Sequence, residues 1–320
     1  MRARNGQTSL RGAQFVDPQA LARIQNLELL ARFVVDGFIN GLHRAPYLGF
    51  SLDFAEHRGY EPGDDLRRVD WRVFGRTDRF YVKQFEADSN ANCVVALDVS
   101  KSMRYGAAQA ATKPRSHEGA GGGLSKLDYG RFLAASLLYF SSKQRDRVGL
   151  VTFDTEVIEY VPASAKHLDF ALYALDRIGE AKAGSLARPL LTMTERLRRR
   201  GIVAIISDLY DEPDAVAEAV KPLRFRGHDV IVFHVLDPTE LDFPFADAAS
   251  FEDLETGERM PVVPDALREQ YRALVRQHIE TLGRLFTDSR IDYALFNTSV
   301  PLDYALFRYL STRERLSRAR

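Results

Sequence analysis

From residue 92 onward the chain alternates two patterns. Short, nearly unbroken apolar runs occupy residues 93–97 (CVVAL), 147–153 (RVGLVTF), 202–206 (IVAII), 230–236 (VIVFHVL) and 291–296. Between and after them, residues 125–144, 165–178, 187–200, 213–225, 265–287 and 302–311 read as helices. In the first of these, Leu127, Phe132, Leu133, Leu137, Leu138 and Phe140 fall on or near one face. The short runs predict strands, and residues 156–161, which alternate, predict an edge strand. Runs that are apolar throughout mark strands covered on both faces. Together these elements predict a doubly wound, mostly parallel α/β sheet.

Upstream, the first dozen residues are polar, and residues 1–16 read as a disordered tail. Asp17-Pro18 predicts a helix start, followed by Leu21, Ile24, Leu27, Leu30, Phe33 and Val34 at helical spacing. Residues 41–90 mix Gly, Pro, aromatics and arginines, which predicts a small β-rich subdomain. The expected organisation is therefore a helix and β-rich extension over 17–90 and the α/β domain over 91–320. Two insertions interrupt that domain. Residues 104–124 are rich in Gly and Ala, and residues 238–264 carry a Thr256-Gly257 turn that predicts a hairpin.

Composition narrows the function. Forty-four basic residues balance forty-four acidic ones among 320, so net charge gives no reason to expect a nucleic-acid or anionic-membrane partner. The single cysteine, Cys93, excludes an internal disulfide and a multi-cysteine zinc site, and its apolar neighbours predict burial. No apolar stretch approaches the roughly 20 residues that span a bilayer, and the first residues lack the apolar core of a secretory signal. Cytoplasmic residence is the expectation.

Candidate chemistry gathers at strand ends. In a parallel sheet, ligands bind beyond the C-terminal ends of the strands, where the direction of winding reverses. The first apolar run leads straight into Asp98-Val99-Ser100-Lys101-Ser102. One carboxylate and two hydroxyls on a tight turn form a hard-oxygen set, suited to Mg²⁺ or Mn²⁺. IVAII is followed by Ser207-Asp208, and Gly184-Ser185 before a helix offers another hydroxyl. With only two carboxylates, a cation held here stays electron-poor and can accept a carboxylate from outside.

Asp98, Ser100, Ser102, Ser185 and Asp208 resemble the metal-ion-dependent adhesion site of von Willebrand factor A domains. Residues 57–88, HRGYEPGDDLRRVDWRVFGRTDRFYVKQFEAD, resemble the signature of the bacterial domain of unknown function 58 family. In that family the signature precedes a von Willebrand-like domain. LDPTELDFPF, FEDLETGE and LREQY also resemble the family, which extends the likeness over nearly the whole chain. The third-loop position there is usually threonine; here Ser185 keeps the hydroxyl, or Gly184 takes the register. The resemblance implies metal-dependent protein recognition without catalysis. The implied partner is a MoxR-type AAA+ ATPase, with or without its client protein, in chaperone-like or complex-maturation work.

Two alternatives use other features. The same acidic residues could serve a metal-dependent phosphohydrolase or nuclease. The arginines and aromatics of residues 65–83 could form a single-stranded nucleic-acid surface, although Asp64, Asp65 and Asp70 can instead pair the guanidiniums internally. GAGGG at 119–123 lacks the Gly-Lys-Ser/Thr ending of a phosphate loop, although Ser125-Lys126 follows nearby. The seven histidines form no helical metal pair, and no serine sits in a Gly-x-Ser-x-Gly elbow. His234, within an apolar strand, is expected to be a core residue.

Overall fold

The computed structural model describes residues 26–44, 56–59, 81–84, 91–106, 124–179 and 182–318. The elements run α1 (Leu27–Arg44), β1 (Glu56–Gly59), β2 (Tyr81–Gln84), β3 (Asn92–Asp98), α2 (Lys126–Lys143), β4 (Arg147–Phe153), β5 (Val157–Ser164), α3 (Leu168–Asp176), α4 (Ala187–Arg196) and β6 (Gly201–Ser207). They continue with α5 (Pro213–Phe225), β7 (Asp229–Leu236), α6 (Pro238–Asp242), β8 (Ala249–Glu252), β9 (Arg259–Val262), α7 (Pro264–Asp288), β10 (Asp292–Asn297) and α8 (Leu302–Arg318).

Six strands form the central sheet in the order β10-β7-β6-β3-β4-β5. All neighbours pair in parallel except β5, an antiparallel edge strand. The α/β expectation and the mostly parallel sheet therefore hold. β3 explains the continuous apolar runs. Its Val95 and Leu97 enter a core shared with α1, α2, α3 and α8, while Val94 and Ala96 enter one shared with α4, α5 and α7. Both faces of the strand are covered, so every second position is apolar on each side. Cys93 is buried as expected, and burial pushes its thiol up to about 11, out of the range of a reactive thiolate.

Several boundaries move. The described helix α1 begins at Leu27, where the Asn26 side chain accepts from the Leu29 amide at 3.0 Å. A start at Asp17-Pro18 lies outside the described residues. The helix runs on to Arg44, so residues 41–44, expected in a β-rich segment, are helical instead. Its buried Leu27, Leu30, Ala31, Val34 and Val35 join the main core. Of residues 45–90 the description covers only the antiparallel pair β1–β2. Most of the arginine-rich stretch 65–83 lies outside it, as do residues 107–123 of the Gly- and Ala-rich insertion. The last helix is longer than its pattern suggested. Arg313 ties it to the sheet through ion pairs with Asp292, at 3.0 Å, and Asp229.

The histidine in β7 is a core residue. His234 is fully buried, and its Nδ1 lies 2.7 Å from the Tyr293 hydroxyl. Burial first, and His278 second, push its pKa down from 6.5 to about 3. The unfolded chain thus takes up a proton near pH 6.5 that the folded chain refuses until about pH 3. Stability is expected to fall as pH drops through that window, by up to about 1.4 kcal/mol per pH unit from this group. Urea unfolding of wild type and His234→Gln at pH 7 and pH 5 checks this. The variant should show the shallower pH dependence, and equal slopes would contradict the assignment.

Candidate metal centre

β3 and β6 are adjacent, and their last register pair is Leu97 with Ile206. The chain leaves the sheet in opposite directions here, because β4 lies beyond β3 on one side and β7 beyond β6 on the other. This is the switch point of a doubly wound sheet. It brings Asp98, at the end of β3, beside Ser207 and Asp208, at the end of β6. The Ser207 hydroxyl donates to Asp98 Oδ2 at 2.7 Å, across 109 residues of sequence. Asp98 Oδ1 accepts from the Ser100 amide at 2.9 Å, which fixes the tight turn. Ser100 Oγ and Ser102 Oγ then lie 3.1 Å apart.

The third loop closes the site from another side. The Lys101 amide donates to the Lys182 carbonyl at 3.0 Å, and the Ser185 amide donates to the Asp154 carbonyl at 3.3 Å. The Leu186 amide donates to Asp211 at 3.3 Å. Gly184 packs directly on the first loop: a Cβ there would stand 2.7 Å from Ser100 Cβ. Only a residue without a side chain permits that approach. Position 184 therefore has no room for a side-chain ligand, and Gly184 and Ser185 both line the same cavity as Asp98, Ser100, Ser102 and Asp208. The five residues singled out from sequence thus surround one cavity of about 480 Å³.

Lys126, Glu240 and Glu255 complete the site, with Tyr210 beside them, and sequence reasoning assigned them no role there. Lys126, the first residue of α2, is fully buried, and its ammonium lies 2.8 Å from Asp208 Oδ2 and 2.7 Å from Glu240 Oε1. Glu240 sits in α6, where its other oxygen accepts from the Asp237 amide at 2.8 Å, half of a capping box. Tyr210 lies beneath the ammonium at 4.6 Å. Burial alone would lower the pKa of Lys126, but the two carboxylates outweigh it and the net shift is upward. The third residue is Glu255, in the turn between β8 and β9. It accepts from the Ser102 amide at 2.8 Å and from the Gly184 amide at 2.7 Å.

A faint signal for Lys126 exists in the sequence. A lysine in the first turn of a helix opposes the helix dipole, so a cation there points to a compensating anion elsewhere. Glu240 and Glu255 lie within LDPTELDFPF and FEDLETGE, segments that carried the family resemblance without a stated role.

The donor set was tested against a hard cation. The cavity wall holds seven acidic residues and, among the described residues that line it, no basic one. Asp98 is raised well above the ordinary carboxylate range, by burial first and by the charge of Asp208 second. Burial and the neighbouring charge favour its neutral form, and a bound cation would favour the carboxylate. The Ser100–Ser102 oxygen separation of 3.1 Å is close to the cis edge of about 3 Å in an octahedron with ligands at about 2.1 Å, as Mg²⁺ demands. Among the described residues no three His, Cys, Asp or Glu side chains converge as ligands. A cation here would rest on Asp98 and Asp208 with hydroxyls and water, which fits Mg²⁺ or Mn²⁺ and not a soft metal.

Lys126 also gives a stability test. Replacing it by Met removes the ammonium and leaves Asp208 and Glu240 buried with uncompensated charge. The expected cost at pH 7 is about 3–5 kcal/mol, read from urea unfolding. A loss below about 1 kcal/mol would mean that water already solvates the pair.

Comparison with known proteins places the chain. The family model described as "Protein of unknown function DUF58" matches residues 56–281. Uncharacterized proteins of Mycobacterium bovis and Mycobacterium tuberculosis are 28% identical over 276 residues, covering 84% of this chain and 81% of theirs. Among solved structures, the conserved hypothetical protein BatB of Bacteroides thetaiotaomicron aligns with a TM-score of 0.44 at 17% identity, over 70% of this chain and 99% of its own. An aerotolerance-related membrane protein of Bacteroides fragilis aligns with a TM-score of 0.45 at 15% identity, over 69% and 99%. Among the described residues, no helix is long and apolar enough to cross a membrane. The family match spans most of the chain, from β1 into α7, and so includes every residue of the site: this chain belongs to the DUF58 family of proteins of unknown function.

Proposed function

We propose that the chain is a metal-dependent protein-recognition module of von Willebrand factor A type, and that the Asp98 cavity is its docking site. One observation carries the reading: an all-oxygen set at the switch point of the sheet, with Asp98 short of a counter-charge. The antiparallel edge strand on an otherwise parallel sheet also supports this fold type.

In this reading Asp98, Ser100 and Ser102 hold Mg²⁺ or Mn²⁺, with Ser185 and Asp208 as ligands directly or through water. The bound ion supplies an electron-poor coordination position that takes an acidic side chain from a partner. Lys126 holds Asp208 in place through its 2.8 Å ion pair, and the Ser207 hydroxyl orients Asp98. Without the ion the acidic wall repels a carboxylate, so docking should depend strictly on metal. The proposed partner is a MoxR-type AAA+ ATPase, with this chain as a cytoplasmic adaptor in complex maturation. That step rests on family analogy. A phosphohydrolase is the weaker reading, because among the described residues the cavity wall offers no arginine or lysine to a phosphate.

Pull-down of the ATPase with the full chain, with and without chelator, tests the proposal. Chelator and Asp98→Ala should each weaken capture about tenfold or more, equivalent to about 1.4 kcal/mol or more. Capture that survives both treatments would rule out docking through this site.

A further inference from the structure

The β8–β9 hairpin is a separate two-stranded ribbon, joined to no strand of the central sheet. Its first strand rests on an aromatic base: Phe251, two residues before Asp253, stacks on Phe243 at 5.6 Å and meets Phe245 edge-on at 5.0 Å. Its tip is prefolded. Asp253 accepts from the Glu255 amide at 2.8 Å and from the Thr256 hydroxyl at 3.0 Å, and Gly257 takes a φ of +77°. Most of the tip is exposed, but Leu254 and Glu255 are half-buried and turn into the cavity wall. A ribbon of this size has little stability of its own. Its tip can therefore lift while the aromatic base stays seated.

The contact at the tip is specific. The two oxygens of Glu255 take the Ser102 and Gly184 amides, one from the first loop of the oxygen set and one from the third. These amides form a ready-made carboxylate clamp at the mouth of the cavity. The approach depends on Gly184, since a side chain there would run into Ser100. Glu255 therefore stands at the mouth that an acidic side chain from outside would have to enter, held by donors that such a side chain would use.

We propose that the β8–β9 hairpin is a built-in competitor for this docking site, and that a partner's acidic side chain binds by displacing Glu255. The consequence for binding rests on the metal-dependent reading above; the clamp itself does not. The apparent affinity for an external carboxylate is then reduced by the fraction of molecules in which the hairpin is lifted. Removing the Glu255 carboxylate removes that competition.

The test uses the full chain as wild type, Glu255→Gln, Glu255→Ala and Asp98→Ala, with Mn²⁺ and acetate as probes. Amide hydrogen exchange reads the clamp without metal. Ser102 and Gly184 should exchange at least about tenfold faster in Glu255→Ala than in wild type. Water-proton relaxation by protein-bound Mn²⁺ then reads the open coordination position as acetate is added. The half-effective acetate concentration should fall about tenfold in Glu255→Ala, as expected if about a tenth of wild-type molecules are open. Glu255→Gln keeps the shape of the tip and should fall in between. Equal acetate dependence in wild type and Glu255→Ala, with Mn²⁺ binding still lost in Asp98→Ala, would overturn the competitor and leave the metal site standing. If no variant binds Mn²⁺ through Asp98, the metal reading fails and takes the competitor with it. Amide exchange would still report whether Glu255 clamps the loops.

Discussion

Two buried carboxylates end neighbouring strands of this sheet, with a single ammonium beside them. Asp98 and Asp208 lie where burial makes charge costly, and Lys126 reaches only one of them, sharing itself with Glu240. Three carboxylates against one cation leave the cluster short of positive charge. The surrounding structure supplies what partial relief it can. The Ser207 hydroxyl and the Ser100 amide donate to Asp98, Tyr210 lies under the ammonium, and the Asp237 amide takes the free oxygen of Glu240. What remains is the raised proton affinity of Asp98, which is also a demand for a cation.

The sheet is what makes this arrangement possible. Parallel strands buried on both faces fix the strand ends, so the turns that leave β3 and β6 and the loop before α4 can meet at one point. Lys126 reaches the same point from the first turn of α2, which Ser125 caps by accepting from the Asp128 amide at 3.0 Å. The mouth of the cavity is built differently. It is covered by a ribbon with its own small aromatic base, outside the central sheet. A rigid floor and a separately folded cover suit a site that must be both preorganised and accessible.

The sheet was legible in the sequence because its strands are apolar on both sides, a pattern that solvent-facing segments do not show. Asp98 and Ser207-Asp208 were legible because each follows such a run directly. Lys126 and Glu255 were not, for a physical reason. A lysine at a helix start and a glutamate in a hairpin turn both look like solvated surface, and their partners lie 82 and 153 residues away in the chain. Only the topology brings them together. The close packing of Gly184 against Ser100 was also beyond the sequence, since it depends on how two distant loops meet.

The central claim is that the charge deficit at Asp98 is made good by a hard cation. The most direct test is a crystal of the full chain soaked in Mn²⁺ and measured for anomalous scattering. The account expects one strong peak within coordination distance, about 2.2 Å, of oxygens from Asp98, Ser100 and Ser102. A map with no peak there, while Mn²⁺ occupies other carboxylates on the same molecule, would contradict it.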